Sequence, residues 1–160
     1  MGSSGITADL AARARRIRML TCDVDGVAVH LLARAGIVVA WITGSAAPAV
    51  AHRAQQLRIP HVVLDAHDKL ASWEKLRAEL GFAPEECAHI GDDLPDVPVL
   101  AACGLAVTVP HAPVAVRVHA HYVTTREGGS GAVRELADLL LAAQGADDTR
   151  AVRAAAAAEG

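Results

Sequence analysis

The stretch Arg18-Met-Leu-Thr-Cys-Asp-Val-Asp-Gly-Val27 decides the fold, because a mostly apolar strand runs into two carboxylates and then a glycine. Short apolar runs of this kind fill parallel sheets that are covered on both faces, so Asp23 and Asp25 are predicted at the strand's carboxyl end. Open α/β sheets bind their ligands at that end. Two carboxylates this close repel each other unless a cation or a proton lies between them. The pair therefore indicates a metal site, an acid/base pair or both, with a plain Asp-Gly turn as the alternative.

The composition indicates one domain with a substantial core, since the chain has 160 residues and is 52% hydrophobic. A net charge of -3 provides no basic field for nucleic acid. No apolar run approaches the length of a membrane span, and no signal-peptide pattern is found. The 3 cysteines have no paired spacing, which favours a reducing compartment. The cytoplasm is therefore the expected location, with neither nucleic acid nor membrane as a partner.

Predicted strands and helices alternate along the chain. After the first strand, further strands are predicted at residues 37–42, 59–64, 87–90, 105–109 and 122–125, and helices at 8–16, 27–35, 46–57, 69–80 and 131–144. Gly36 and Gly81 are interpreted as residues that end helices. This alternation predicts an α/β fold with a parallel, doubly wound sheet and right-handed connections.

Polar residues follow several of these strands and would meet at one edge of the sheet. They are Asp23 and Asp25, Thr43 and Gly44, Lys69, and Asp92 and Asp93. Lys69 is predicted at the start of a helix, where a cation is unfavourable, so we expect an anion to hold it there. Asp93 could cap the next helix with Pro95 in its first turn, but that reading leaves Asp92 unexplained.

Carboxylates, a hydroxyl, a backbone N–H and a lysine are what a Mg²⁺-dependent phosphoryl-transfer site needs. The carboxylates supply oxygen ligands for a hard cation, and the other groups can hold phosphate oxygens. An aspartate in such a site can attack phosphorus directly. The sequence therefore predicts phosphoryl-transfer chemistry at this edge.

These residues form motifs that resemble a known family. Asp23-Val-Asp-Gly-Val27, Ile42-Thr-Gly44, Lys69 and Gly91-Asp92-Asp93 are similar to the four motifs of haloacid dehalogenase-type phosphatases. More closely, the chain resembles the 3-deoxy-D-manno-octulosonate 8-phosphate (KDO 8-P) phosphatases over nearly its whole length after Arg16. The stretches that carry this closer resemblance are 67–70, 87–98, 112–113, 121–124 and 128–135.

The resemblance implies a Rossmann-like sheet with helices on both faces and no cap domain, and a role for each carboxylate. Asp23 would be the nucleophile that becomes an aspartyl-phosphate. Asp25 would protonate the leaving sugar oxygen and later activate water. Mg²⁺ would be held by Asp23, the backbone carbonyl of Asp25, and Asp92. The implied substrate is the eight-carbon sugar acid phosphate of lipopolysaccharide synthesis.

Other residues are assigned to substrate binding by the same resemblance. Thr43 and Gly44 would hold the phosphoryl oxygens, Lys69 would offset the crowded negative charge, and Arg53 matches a family arginine near the substrate. Family members are tetramers, so a homo-oligomer is expected. The implied division of the chain is an expression-tag remnant with a lead-in helix at 1–16, the phosphatase domain at 17–145 and an alanine-rich tail at 146–160.

Two departures from the family pattern bear on activity. A β-hairpin flap normally follows the Asp-Val-Asp-Gly-Val motif, whereas here about a dozen residues join Asp25 to Ile37, near the minimum for parallel strands. Ser45 replaces an arginine that usually follows Thr-Gly. Because a sheltered site strengthens electrostatic catalysis, the loss of the flap predicts reduced rate, reduced specificity and weaker assembly.

Two other readings remain open. The first is a non-catalytic domain that keeps the fold and serves assembly or regulation, which the missing flap favours and the intact motifs oppose. The second is a receiver-type signalling domain, which places its acidic pair early and its Thr and Lys late, whereas Thr43 and Lys69 precede Asp92 here. The histidines lack zinc-like spacing, so packed or solvated side chains are expected at His67, His89, His111, His119 and His121.

Overall fold

Six parallel strands form one open sheet in a computed structural model that describes residues 6–23, 29–129 and 131–145. The strands are β1 (Met19–Cys22), β2 (Val38–Ile42), β3 (His61–Val63), β4 (Cys87–Ile90), β5 (Leu105–Thr108) and β6 (Tyr122–Val123). Their order across the sheet is β3-β2-β1-β4-β5-β6. The chain therefore builds outward from β1 in one direction, returns to the centre, and builds outward in the other.

Seven helices are found in the part of the chain that the structure describes. They are α1 (Ala8–Arg15), α2 (Val29–Arg34), α3 (Pro48–Leu57), α4 (Lys69–Leu80), α5 (Val97–Ala102), α6 (Val114–Arg117) and α7 (Ala132–Ala143). Short 3₁₀ turns at Pro84–Glu86 and Leu94–Asp96 precede β4 and α5. Helix α7 packs against α1 and α2, and α4 packs against α5. None of the described helices is long and apolar enough to cross a membrane.

The central strands are buried on both faces. Every residue of β1, β4 and β5 is buried, and successive side chains of a strand point to opposite faces of the sheet. Helices must therefore cover both sides, which is why these strands read as continuous apolar runs. The largest fully buried side chains include Trp41 and Trp73. The predicted doubly wound α/β fold is confirmed.

Local sequence signals set several element ends, and the two helix-ending glycines lie where they were predicted. Gly36 has a φ of 83° after α2, and Gly81 has a φ of 79° at the end of α4, both in the left-handed region that glycine adopts without strain. Pro48 is the first residue of α3. The Asp68 side chain accepts a hydrogen bond from the Ala71 backbone N–H at 3.0 Å and so caps α4.

Some elements differ from the prediction. The alanine- and arginine-rich lead-in helix, whose composition is typical of a surface helix, in fact buries Leu10 and Ala14 in the core. The segment 110–117, predicted only as a connection, contains α6, which begins after Pro113 and buries Val116. The third strand is three residues long instead of six, and its residues are only partly buried. Residues 1–5, 24–28 and 146–160 lie outside the described part of the chain, so the predictions for the tag remnant, the start of α2 and the tail are not addressed.

The strand order creates a crevice beside β1. Strands β2 and β4 flank β1, and the sheet is extended from them toward opposite edges, so the strand order reverses at β1. Open α/β sheets bind ligands at such a switch point. Cys22 of β1 pairs in register with Ile90 of β4. Asp23 and Asp92 therefore follow adjacent strands at the same edge.

Candidate active site

Asp23 and Asp92 line two cavities at the carboxyl edge of the sheet. One cavity has a volume of about 300 Å³ and is also lined by Gly44, His67 and Lys69. The other has a volume of about 340 Å³ and extends toward the start of α7. The two carboxylates thus lie between the cavities, where a ligand in either one can reach them.

The carboxylates crowd one another electrostatically. Burial, and after it the negative charges of Asp96 and Asp23, raise the pKa of the Asp92 carboxyl. Asp92 nevertheless remains exposed, and the Asp23 side chain is 54% exposed. Exposed carboxylates with mutual repulsion are suited to binding a hard cation from solution, because the cation relieves the repulsion.

Lys69 is held at this edge by Asp96. Its Nζ atom lies 3.0 Å from Asp96 Oδ1 and 3.8 Å from Asp23 Oδ2. The lysine side chain is only 8% exposed, since it enters the site from the first turn of α4. The anion expected beside Lys69 is therefore present, and it is chiefly Asp96 rather than the candidate nucleophile.

The Asp96 carboxylate is buried and fully hydrogen-bonded. Oδ1 accepts from Lys69 Nζ and lies 2.9 Å from His89 Nε2, while Oδ2 accepts from the backbone N–H groups of Asp92 and Asp93 at 3.2 and 3.3 Å. Burial by itself would raise the pKa of this carboxyl, but hydrogen bonds and favourable electrostatic interactions with His89 and Lys69 outweigh burial and lower the pKa to about 2. Asp96 is therefore ionised.

The backbone next to Asp96 requires glycine. A Cβ atom on Gly91 would lie 2.3 Å from Asp96 Cγ, which is far inside van der Waals contact. The Gly91 carbonyl in turn accepts a hydrogen bond from Thr108 Oγ1 at 2.7 Å. These contacts fix the loop that carries Asp92.

Thr43 and Gly44 follow β2 at the same edge. Thr43 is buried, and its hydroxyl oxygen accepts a hydrogen bond from the Ser45 backbone N–H at 3.2 Å, which leaves its own hydrogen available to donate. Gly44 is exposed and lines the cavity that contains Lys69. The described geometry thus brings Gly44, Asp23, Lys69 and Asp92 to one cavity.

Not every predicted site residue lines these cavities. Arg53 is exposed on α3 and lines neither of them. Asp25 lies outside the described residues. Asp93 accepts a hydrogen bond from the Leu94 backbone N–H and caps the following 3₁₀ turn, which agrees with the capping reading of this residue. Within the described ranges, no group of three His, Cys, Asp or Glu side chains is placed to hold a metal ion.

Glu135 holds the loop that borders the larger cavity. Its carboxylate accepts hydrogen bonds from the Tyr122 hydroxyl, from the backbone and hydroxyl of Thr125, and from the Arg126 backbone. Burial would raise the pKa of Glu135, but these hydrogen bonds lower it. Burial, and after it the hydrogen bond with Glu135, raises the pKa of Tyr122 to about 12. The loop residue Gly128 is thereby kept against the cavity that contains Asp92.

Sequence reasoning missed two contributors to the site. Asp96 is given no role by the sequence patterns, although a third acid four residues after Asp92 is a usable signal. His67 lines the cavity beside Lys69, and its Nε2 lies 2.8 Å from Asp65 Oδ1. Among the other histidines, His89 is fully buried, and His121 Nδ1 accepts from the Ala106 backbone at 2.8 Å. The expectation of packed or solvated histidines agrees with these positions.

An open parallel sheet with aspartates after two adjacent central strands and a lysine from a neighbouring helix defines a haloacid dehalogenase-type hydrolase. In agreement, the family model of the haloacid dehalogenase-like hydrolases matches residues 4–104. The chain is 41% identical over 160 residues to the Yersinia pestis 3-deoxy-D-manno-octulosonate 8-phosphate phosphatase KdsC, covering 85% of this chain and 86% of the relative.

Solved structures agree with this similarity. The crystal structure of the Yersinia pestis phosphatase superposes with a TM-score of 0.82 at 40% identity, covering 87% of this chain and 88% of that one. The Moraxella catarrhalis phosphatase, in complex with magnesium ion, phosphate ion and KDO, superposes with a TM-score of 0.81 at 33% identity, covering 84% and 91%. The chain belongs to the haloacid dehalogenase-like hydrolases and, within them, to the KDO 8-P phosphatase family.

Proposed function

We propose that this protein is a Mg²⁺-dependent phosphomonoesterase that hydrolyses KDO 8-P to KDO and phosphate through an aspartyl-phosphate. The observation that carries this proposal is the meeting of Asp23, Asp92 and Lys69 at one cavity beside the switch point of the sheet. The similarity to phosphatases named for this substrate supports the choice of substrate.

Asp23 is the proposed nucleophile. Its carboxylate is 54% exposed and borders both cavities, so a phosphoryl group can approach it. Attack by a carboxylate oxygen on phosphorus forms the aspartyl-phosphate as the bond to the sugar oxygen breaks. Asp25 is proposed to donate the proton to that oxygen, and later to take a proton from the water that releases phosphate.

The donor set fits Mg²⁺. Asp23 and Asp92 provide two carboxylates that repel each other, and oxygen ligands of this kind are preferred by hard cations. The backbone carbonyl of Asp25 is proposed as a third protein ligand. When bound, Mg²⁺ would neutralise negative charge on the phosphoryl oxygens during transfer.

Lys69 and the end of β2 are proposed to hold the phosphoryl group. Lys69 Nζ is positioned between Asp96 and Asp23, where it reduces the negative potential that would repel a phosphate. Thr43 is proposed to donate its hydroxyl, and Gly44 its backbone N–H, to phosphate oxygens. Arg53 is proposed to contact the more distant part of the substrate.

Organisation and location are further parts of the proposal. Residues 17–145 would form the catalytic domain, preceded by a tag remnant and lead-in helix and followed by a tail. The protein would act in the cytoplasm and assemble as a homo-oligomer that is weaker than the family tetramer. A catalytically weak or inactive domain with an assembly or regulatory role is the second candidate, favoured by the short connection from Asp25 to Ile37.

The test is phosphate release from a panel of sugar phosphates, including KDO 8-P, with and without Mg²⁺. We expect release that requires Mg²⁺ and that falls about a hundredfold or more in Asp25→Asn, as for loss of a general acid. Release that is independent of Mg²⁺, or unchanged in Asp25→Asn, would contradict the proposed mechanism. No release from any sugar phosphate would favour the non-catalytic candidate.

A further inference from the structure

A chain of buried hydrogen bonds runs from β1 to Lys69 beneath the candidate active site. Thr21 Oγ1 lies 2.7 Å from His89 Nδ1, His89 Nε2 lies 2.9 Å from Asp96 Oδ1, and that oxygen accepts from Lys69 Nζ at 3.0 Å. Thr21 and His89 have no exposed surface, and neither lines either cavity. The His89 side chain reaches the candidate active site through its hydrogen bond with Asp96.

Asp96 determines which nitrogen of His89 carries hydrogen. An ionised carboxylate can only accept hydrogen bonds, so His89 Nε2 must be a donor. In the neutral imidazole, Nδ1 is then the acceptor, and the single Thr21 hydroxyl hydrogen can be donated to it at 2.7 Å in preference to the Ala88 carbonyl at 3.3 Å. Both ring nitrogens are satisfied in this arrangement, which holds the ring in one tautomer and one orientation.

We propose that His89 is a positioning residue for the phosphatase reaction. Its Nε2–H holds the Asp96 carboxylate in the one orientation that serves both Lys69 and the backbone N–H groups of Asp92 and Asp93. This inference rests on the proposed function and deepens it, because it assigns the control of Lys69 and Asp92 to a residue outside the cavities.

The geometry explains why a polar residue is needed inside β4. Burying an imidazole is unfavourable unless its nitrogens are hydrogen-bonded, whereas the other residues of this strand, Cys87, Ala88 and Ile90, are apolar. Without His89, Asp96 Oδ1 would keep only Lys69 as a side-chain donor, and the orientation of the carboxylate would be held less firmly. Lys69 Nζ is already 3.8 Å from Asp23 Oδ2, so a small shift would pair it fully with the nucleophile and oppose attack on phosphorus.

The first test compares two substitutions at one position. His89→Phe keeps a ring of similar volume without a donor, and His89→Gln keeps an N–H near the position of Nε2. We expect His89→Phe to lower kcat by about 10- to 100-fold, as is common for residues that orient a metal ligand, with little change in KM. His89→Gln should recover most of kcat. Equal loss in both variants, or less than about a twofold loss in His89→Phe, would overturn the proposal.

A control separates positioning from stability. Leu105→Val removes a methylene at a buried position of β5 that pairs with Ala88 and not with His89. It should lower the free energy of unfolding without lowering kcat of the folded protein. If kcat in the His89 variants simply follows the folded fraction, as measured by urea denaturation, His89 has only a structural role and the proposal is wrong.

A second measurement does not depend on turnover. Calorimetry should show weaker Mg²⁺ binding in His89→Phe than in His89→Gln, and imidazole ¹⁵N spectra of the metal-free protein should show His89 protonated at Nε2. If the two His89 variants differ in Mg²⁺ binding as expected but the wild type releases no phosphate, the result would contradict the proposed function and support the positioning role. Unchanged Mg²⁺ affinity in His89→Phe, or an unprotonated Nε2, would contradict the positioning role whatever the activity.

Discussion

Lys69 Nζ and Asp96 Oδ1 form a buried ion pair 3.0 Å apart, with the two side chains 8% and 2% exposed. The lysine is also 3.8 Å from Asp23, but the shorter distance and the more buried partner make Asp96 its main counterion. The positive charge of Lys69 is thereby kept near the Asp23 carboxylate, while its closer ion pair is with Asp96. A nucleophilic carboxylate needs this arrangement, because direct pairing with a lysine would stabilise its unreacted form.

Breaking this pair should destabilise the protein strongly. Removal of one partner leaves the other charge buried without compensation, which typically costs about 3–5 kcal/mol. We expect a loss of this size in Lys69→Met, measured by urea denaturation. Lys75→Met is the matched control, since Lys75 is exposed on the same helix and its loss should change stability by less than about 0.5 kcal/mol. Similar stability of the two variants would contradict the role of the pair.

Asp96 should also impose a pH dependence on stability. Its pKa falls from an ordinary value of 3.8 to about 2 in the folded protein, so between these values the unfolded chain binds more protons. The stabilisation is therefore complete above about pH 4 and is lost as the pH falls toward 2. The free energy of unfolding of the wild type minus that of Asp96→Asn should shrink over this range. A difference that stays constant from pH 4 to pH 2 would show that the Asp96 pKa is not lowered.

Asp23→Asn should abolish phosphate release and leave the fold intact. The amide keeps the shape of the carboxylate but is a very poor nucleophile toward phosphorus. Because Asp23 is half exposed, the free energy of unfolding should change by less than about 0.5 kcal/mol. Asp138→Asn, at an exposed position on α7, should retain full activity. Substantial turnover in pure Asp23→Asn would exclude the covalent mechanism.

Mg²⁺ should raise the melting temperature. A ligand at 100 times its dissociation constant stabilises the folded state by about 2.7 kcal/mol, and Mg²⁺ also relieves the repulsion that raises the pKa of Asp92. The shift in melting temperature should be much smaller in Asp92→Asn. It should be retained in Asp65→Asn, which removes a carboxylate that lines neither cavity. An equal shift in all three proteins would place the bound ion elsewhere.

The short connection from Asp25 to Ile37 should reduce selectivity. Contacts to the sugar that form only in a closed site contribute to rate, so their loss lowers kcat as well as affinity. We expect slow hydrolysis of small phosphoesters, little preference for KDO 8-P in kcat/KM, and weak self-association in sedimentation. A stable tetramer with a strong preference for KDO 8-P would show that the flap is dispensable.

The sequence alone determined the fold class and the edge at which the site lies. Apolar runs predicted the parallel strands, and the polar residues directly after them had to meet at the carboxyl edge, whichever strands were neighbours. Local signals were equally reliable, since Gly81 ends α4 where a positive φ is required. Lys69 is at the first position of that helix, where a cation is unfavourable, and the expectation of an anionic partner there was correct.

Only the tertiary structure decided which groups are paired. Asp96 contacts Lys69 across 27 residues of chain, and Thr21 contacts His89 across 68. Such contacts depend on β4 lying beside β1, and on the side chains of Thr21 and His89 lying on the same face of the sheet, neither of which is set by local propensity. Composition and periodicity report only how each segment buries its own apolar residues. The identity of the counterion that keeps Lys69 off the nucleophile is therefore a property of the packed sheet.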